Sequence, residues 1–210
     1  MKELIRQFKS AIKEIQTDIA SLKEPKFVSK RISLEQEHYL LKNQLPVKLV
    51  IGKKHHIPDI LYIERMSYQG LAPWGRSALE SDIMQNAKSL YYVLYDGHTP
   101  VGFLGAREET EDIHITNIAI VPDYQQIGAA TLLLMMLEEF ALTENIPSIS
   151  LEVRVSNQKA KSLYEKIGFR SVRIKKNYYN GDGEDALEMN WLLPVAGPEE
   201  REKRHADEYH

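Results

Sequence analysis

The stretch Gln125-Gln126-Ile127-Gly128-Ala129-Ala130 decides the reading of this chain. An apolar run, Ile115 to Val121, leads into it, and a leucine- and methionine-rich stretch, Thr131 to Leu142, leads out. That order reads as strand, small-residue turn, helix. Such a turn can aim several main-chain N–H groups at one spot in front of a helix N-terminus, where anions and phosphates in particular are held. Gly128 and the alanines keep bulk away from the main chain at that spot. An ordinary strand-to-helix connection has the same outline, so the neighbours must decide between the two.

Downstream, Ser148–Val155 alternates. Ile149, Leu151, Val153 and Val155 point one way, while Ser148, Ser150, Glu152 and Arg154 point the other. Glu152 thus lies mid-strand on a polar row, which either lines a cleft or is a solvated face. The next helix, Gln158 to Ile167, is stopped by Gly168. Its stripe Ala160, Leu163, Tyr164 and Ile167 faces inward. Tyr164 is either a core tyrosine or a phenol held between sheet and helix.

Upstream, Val47 to Ile51 reads as a short strand. Pro58 suits a first helical position, and a helix runs to about Ser67. After a loop at Gln69-Gly70 and Pro73-Trp74-Gly75, Ser77 and Glu80 read as a capping box for a second helix. Strands come next at Leu90 to Tyr95, Val101 to Arg107 and Ile113 to Val121. The last two, Val172 to Lys175 and Ala186 to Leu192, are joined through Asn177 to Gly183. The crossover from Val121 to Ile149 makes one parallel pair among antiparallel hairpins. The fold class is α/β: a mixed, mostly antiparallel central sheet with helices on both faces.

The N-terminal part is different. Ile5, Phe8, Ile12, Ile15, Ile19 and Leu22 follow heptad spacing over residues 3–24, closed by Pro25. That predicts an added N-terminal helix, lying on its own domain or against a second copy (a homodimer) or a partner helix. Residues 26–46 read as a connection with one helical turn around Glu35 to Lys42. The divisions are therefore 1–46, a helical extension and connection; 47–193, the main domain; and 194–210, a charged tail expected to be disordered.

The 210 residues can bury a proper core, and 43% hydrophobic and 27% charged content are ordinary for a globular protein. There is no cysteine, which removes disulfides, thiolate nucleophiles and thiolate metal sites. With no membrane-length apolar run and no signal-peptide pattern, a cytoplasmic protein is expected. The net charge of −3 conceals twelve Lys and Arg against six Asp and Glu in residues 1–56. Those basic residues are not interleaved with an aromatic platform, so no nucleic-acid binding is expected.

Together the pieces resemble the GCN5-related N-acetyltransferase (GNAT) superfamily over residues 47–193. The opening hexapeptide fits its acyl-CoA signature, Gln/Arg-x-x-Gly-x-Gly/Ala. Within it the closer resemblance is to the ribosomal-protein alanine N-acetyltransferases. Asn117 to Gln125 looks like their strand into the CoA loop, and Leu151 to Asn157 like their base-bearing strand. Ala160 to Phe169 looks like the helix after it. Lys176 to Tyr179 with Glu184 to Ala186 looks like their C-terminal hairpin, and Pro73-Trp74 like a Pro-Trp on the acceptor side.

The resemblance implies acetyl transfer from acetyl-CoA, as cosubstrate, to an amine, with no metal. An ammonium cannot attack a thioester, so a base must take its proton; Glu152 is the candidate, directly or through water. Tyr164 is the candidate acid for the departing thiolate, since a phenol still holds its proton at neutral pH. Ile118, Ala119 and Ile120 would pair with the pantetheine arm. Gln126, Ile127, Gly128, Ala129, Ala130 and Thr131 would hold the diphosphate, and Asn157 would touch the cofactor. Trp74, Tyr178 and Tyr179 would contact the acceptor. The implied acceptor is a protein N-terminal α-amine, with a small-molecule amine or lysine, or a non-catalytic acetyl-CoA-binding module, as the other readings. Two departures stand out. The turn carries no basic residue beside its glycine, and residues 1–46 have no counterpart in the compact family members.

Overall fold

The computed structural model describes residues 27–68 and 74–195. The predicted heptad helix, the loop residues 69–73 and most of the tail lie outside them. Eight strands are found: β1 (His38–Leu40), β2 (Pro46–Ile51), β3 (Ser89–Asp96), β4 (Thr99–Glu108), β5 (Ile113–Ile120), β6 (Ser148–Arg154), β7 (Arg170–Lys175) and β8 (Ala186–Leu192). Among the described residues four α-helices accompany them: α1 (Ile57–Ser67), α2 (Arg76–Gln85), α3 (Ala129–Thr143) and α4 (Gln158–Ile167). The strands form one sheet in the order β1-β2-β3-β4-β5-β6-β8-β7. Among the described residues only β5 and β6 pair in parallel. Among the described residues no helix is long and apolar enough to cross a membrane.

Helices cover both faces. On one, α3 and α4 bury Leu133, Leu134, Leu137, Phe140 and Tyr164 against Leu104, Ile113, Leu151 and Met189 of the sheet. On the other, Ile57, Ile60 and Ile63 of α1 and Leu79 of α2 pack on Val93, Phe103 and Ala119. Each large aliphatic side chain removed from water contributes about 1.5–3 kcal/mol, so both layers are held largely by these rows. The α3 stretch is apolar on nearly every side, which suits a helix pressed on a sheet and flanked by neighbours.

Two local expectations are overturned. The helical turn around Glu35 to Lys42 is instead β1, whose Tyr39 pairs with Val47 of β2. An edge strand gave this segment main-chain partners that a lone helical turn would lack. Leu41 and Val28 are buried in the same core as α3. Ser77 and Glu80 do not form a capping box. Gly75 is the N-cap of α2 in extended geometry and no side chain caps it, because the helix starts one residue before Ser77.

A bulge in β5 decides which of its side chains reach each face. Gly105 pairs with Asn117 but Ala106 with Ile115, leaving Thr116 as the extra residue. Side-chain phase therefore shifts by one. Ile113 and Ile115 share a face with Ile120, while Ala119 and Val121 turn to the α1 side. A Cβ on Gly105 would lie 2.7 Å from Tyr91 Cε1 and 3.2 Å from Thr116 Oγ1, so only glycine permits this approach.

Candidate active site

The parallel pairing of β5 and β6 covers only Ile113–Ile115 against Ile149–Leu151. Past that point β6 stays with β8 as far as Arg154, while β5 stays with β4 as far as Ile120. The two strands diverge and open a cleft of about 670 Å³. Its walls include Asn117 and Ile118 from β5, Glu152 and Arg154 from β6, Tyr164 from α4 and Tyr68, the residue that ends α1. Trp74, Asn157 and Tyr179 also reach it. Of the residues named from sequence, the structure thus gathers Glu152, Tyr164, Asn157, Trp74, Tyr179 and Ile118 at one cleft. Past the divergence the β5 main chain from Ile118 to Ile120 has no β6 partner, and of these residues Ile118 lines the cleft.

Glu152 is not a lone carboxylate. Lys175 Nζ lies 2.5 Å from its Oε1 and His114 Nε2 3.1 Å from its Oε2. The Tyr178 hydroxyl donates to Oε2 at 3.3 Å. Burial alone would raise this carboxyl, but the hydrogen bonds and charges of His114 and Lys175 outweigh it and hold it down at about 2. Lys175 is itself shared with Glu188 Oε2 at 2.9 Å.

His114 is the residue that sequence reasoning missed. Its Nδ1 lies 2.9 Å from Ser150 Oγ, and the Ser150 hydroxyl donates to Asp112. With that hydroxyl committed, Nδ1 must carry a hydrogen and donate to Ser150. Nε2 then faces the Glu152 carboxylate and binds a proton readily. Accordingly the hydrogen bond to Glu152 raises the His114 pKa, against the opposing effect of burial. His114 stood in plain view between Ile113 and Ile115, but its meeting with Glu152 depends on parallel register that no local pattern carries.

The phenols form the rest of the wall. Tyr164 is buried, 7% exposed, and burial pushes its hydroxyl well above the ordinary value, with Tyr68 and Tyr179 adding to the effect. Tyr179 stacks under the Arg154 guanidinium, 4.0 Å from ring centroid to Cζ, and makes an edge-on contact with Tyr178 at 5.2 Å. Arg154 is fixed by Glu184 at 2.7 Å and Asp182 at 2.8 Å, so the β7–β8 connection is pinned over the cleft. Asn157 also serves the fold, since its Oδ1 accepts from the Ala160 N–H and caps α4.

A second carboxylate lies behind the opposite wall. Glu64 of α1 is wholly buried. Asn117 Nδ2 donates to its Oε1 at 2.8 Å, and the Tyr68 hydroxyl donates to Asn117 Oδ1 at 2.9 Å. Burial drives the Glu64 carboxyl up to about 7, partly offset by the Trp74 main-chain N–H and the Asn117 amide. Ser67 Oγ and Thr116 Oγ1, close by in sequence to Glu64 and Asn117, are buried without a hydrogen-bond partner. The signal was available: Ile57, Ile60 and Glu64 share one helical stripe, and a Glu on an apolar stripe asks for an explanation.

The turn that opens α3 has the predicted shape. Gln126 (φ 63°) and Gly128 (φ 99°) are both left-handed, and Gly128 is the N-cap. Gln125 Nε2 donates to Ile120 O at 3.0 Å and ties the turn to the end of β5. The N–H groups at the start of α3 are left without a capping side chain, which suits them to an anionic group. Among the described residues no cluster of three or more His, Asp or Glu could hold a metal ion.

The chain shares its family and fold with known proteins. A family model described as the acetyltransferase (GNAT) family matches residues 57–169. A Bacillus subtilis relative provisionally assigned as a ribosomal protein bS18-alanine N-acetyltransferase is 37% identical over 137 residues, 65% of this chain and 88% of that one. The Haemophilus influenzae enzyme named for the same activity is 37% identical over 126 residues, 59% of this chain and 84% of its own. The crystal structure of the ribosomal-protein-S18-alanine N-acetyltransferase from Escherichia coli superposes with a TM-score of 0.65 at 29% identity, covering 72% of this chain and 97% of that one.

Proposed function

The chain belongs to the acetyltransferase (GNAT) family, and on that footing we propose that it moves an acetyl group from acetyl-CoA to the N-terminal α-amine of a protein that begins with alanine, a ribosomal protein in the first instance. The observation that carries this is the cleft itself: one opening between β5 and β6 brings a carboxylate, Glu152, backed by His114, together with a buried phenol and an aromatic wall.

The residues present fit the cosubstrate. The uncapped start of α3 suits its diphosphate, with Gln126 to Thr131 around it. The edge of β5 at Ile118 suits an amide-bearing arm laid alongside like an added strand, up to Ile120, whose carbonyl Gln125 already holds. When bound, acetyl-CoA supplies an activated acyl group as a thioester. A main-chain N–H of β5 aimed at that carbonyl would stabilise the charge that grows on its oxygen.

Glu152 and His114 then act together. Above its raised pKa, His114 keeps the Nδ1 hydrogen and offers Nε2 as the acceptor, while Glu152 attracts the ammonium and stabilises the imidazolium that forms. The amine's proton thus moves to the pair, directly or through one water, and the free amine attacks. Tyr164, protonated at all working pH values, donates toward the departing thiolate. Tyr178, Tyr179 and Trp74 would hold the acceptor peptide next to Glu152.

The test is an acetyl-transfer assay offering an Ala-starting peptide, an N-terminally blocked Lys peptide and a polyamine. The Ala peptide should show the highest kcat/KM. Preference for either of the other two would overturn the acceptor assignment.

A further inference from the structure

The turn before α3 presents a problem that the structure answers. Gln126 to Thr131 has no positive charge, yet on the acetyl-CoA reading it must sit against phosphates. A cation comes instead from the N-terminal side of the sheet. After β1, the chain makes a tight turn in which Leu41 N–H donates to Leu45 O at 2.9 Å, and Leu41 is buried at 4% exposure. The next residue, Lys42, donates its main-chain N–H to Ile127 O at 3.0 Å. The β1 turn is thereby bonded to the residue before Gly128.

The Lys42 side chain then runs across Gly128. A Cβ built on Gly128 would come 3.3 Å from Lys42 Cγ and 3.7 Å from both Cδ and Cε. The space that glycine leaves is filled on this side by the lysine stem. Lys42 is exposed and takes part in none of the ion pairs among the described residues. A groove of about 700 Å³ opens beside it, lined also by His38, Gly128 and Thr131.

We infer that Lys42, delivered by the N-terminal segment, is the cationic phosphate contact that the neutral turn lacks, so that this segment completes the acetyl-CoA site. The inference rests on the acetyl-CoA reading above. Its physical basis is simple. The helix N-terminus supplies main-chain donors and a partial positive charge, but a full charge beside a diphosphate or a 3′-phosphate adds a charge-assisted hydrogen bond. A lysine ammonium suits this role as a compact point charge. The turn after edge strand β1 can carry that charge only if its path is fixed, and the Lys42–Ile127 hydrogen bond fixes it.

The experiment is equilibrium calorimetry of CoA and of 3′-dephospho-CoA binding to the full chain, as wild type, Lys42→Met and Lys42→Arg. Methionine keeps the stem over Gly128 and removes the charge. Lys42→Met should weaken CoA about five- to tenfold, with a shallower salt dependence, and Lys42→Arg should retain most of the affinity. Equal weakening of both ligands assigns Lys42 to the diphosphate, whereas weakening of CoA alone assigns it to the 3′-phosphate. Unchanged CoA affinity in Lys42→Met overturns the role of Lys42 while leaving the acetyl-CoA reading intact. If the wild type binds neither ligand, the acetyl-CoA reading falls and this inference falls with it.

Discussion

Glu64→Gln should flatten the dependence of stability on pH. The Glu64 carboxyl is held at about 7 against an ordinary 4.5, chiefly by burial. Because the folded state prefers the protonated form, this group contributes most to stability below pH 4.5. Its contribution is lost as pH rises toward 7 and levels off above it. A shift of about 2.5 units at ~1.4 kcal/mol each gives roughly 3 kcal/mol in all, of which about 2.5 kcal/mol falls between pH 5 and pH 8. Water in the adjoining cleft screens part of this, so about 1–2 kcal/mol is expected. Glutamine keeps an oxygen for Asn117 Nδ2 but does not titrate. Thermal unfolding of both proteins at pH 5 and pH 8 reads the effect. The wild type should lose about 4 °C more than the variant across that interval. Equal losses would mean that Glu64 is not held as a neutral acid, and the account of α1 as a wall built around a buried carboxyl would be wrong. Any fixed cost of the substitution cancels, because only the difference between the two pH values is used.

Glu152→Gln should lower kcat by roughly 10²–10⁴-fold while acetyl-CoA binding, followed by calorimetry, persists; normal turnover would remove Glu152 from the mechanism. Tyr164→Phe should lower kcat about 10²-fold or more with little change in KM for acetyl-CoA, and an unchanged kcat would assign the thiolate's proton to water. The Glu152–His114 contact stabilises the fold at low pH and is lost as pH rises through the raised His114 pKa, so the acid limb of kcat/KM should lie above the ordinary histidine value of 6.5. In His114→Gln that limb should move or vanish, and an unaltered profile would exclude His114 as a proton acceptor. Asp82→Ala should cost about 2–4 kcal/mol in chemical denaturation, because it strips partners from the buried Tyr91 hydroxyl and from Arg107, bonded to it at 2.7 and 3.2 Å; a loss under about 1 kcal/mol would show that these groups find water instead.

What sequence revealed and what it hid divide along physical lines. Ranges governed by local pattern were legible: α4 was read as Gln158–Ile167 and β8 as Ala186–Leu192 from stripe, alternation and the Gly168 stop, and both match. Residues carried within a local motif, such as Glu152 and Tyr164, could be named from that motif, although their partners could not. Residues defined by long-range register could not. His114 reaches Glu152 only because Ile113 pairs with Ile149 and His114 with Ser150. Lys175 arrives through the β8–β7 edge, where it lies opposite Ala186. The β1 segment shows the same limit from the other side. Its residues have no clear period, and what makes it a strand is the exposed edge of β2, which is a property of the folded sheet.

The acid–base equipment of the cleft also bears on how the acceptor loses its proton. Glu152, held at about 2 by Lys175 and His114, is a poor store for a proton. An α-ammonium near 8 lies about 6 units above it, so direct transfer costs roughly 8 kcal/mol, and a lysine ammonium near 10.4 lies about 8 units above it, roughly 11 kcal/mol. His114 is far better matched, because its contact with Glu152 lifts it above the ordinary histidine value and so toward an α-ammonium. A pair that hands the proton to histidine while the carboxylate keeps its charge therefore serves an amine that is partly deprotonated at working pH. It serves poorly an amine that is almost wholly protonated there. The difference of about 3 kcal/mol between the two amines at neutral pH belongs to the amines themselves, so the proposed His114–Glu152 acceptor accounts for proton removal from a chain terminus, while the choice between amines rests on the rest of the cleft.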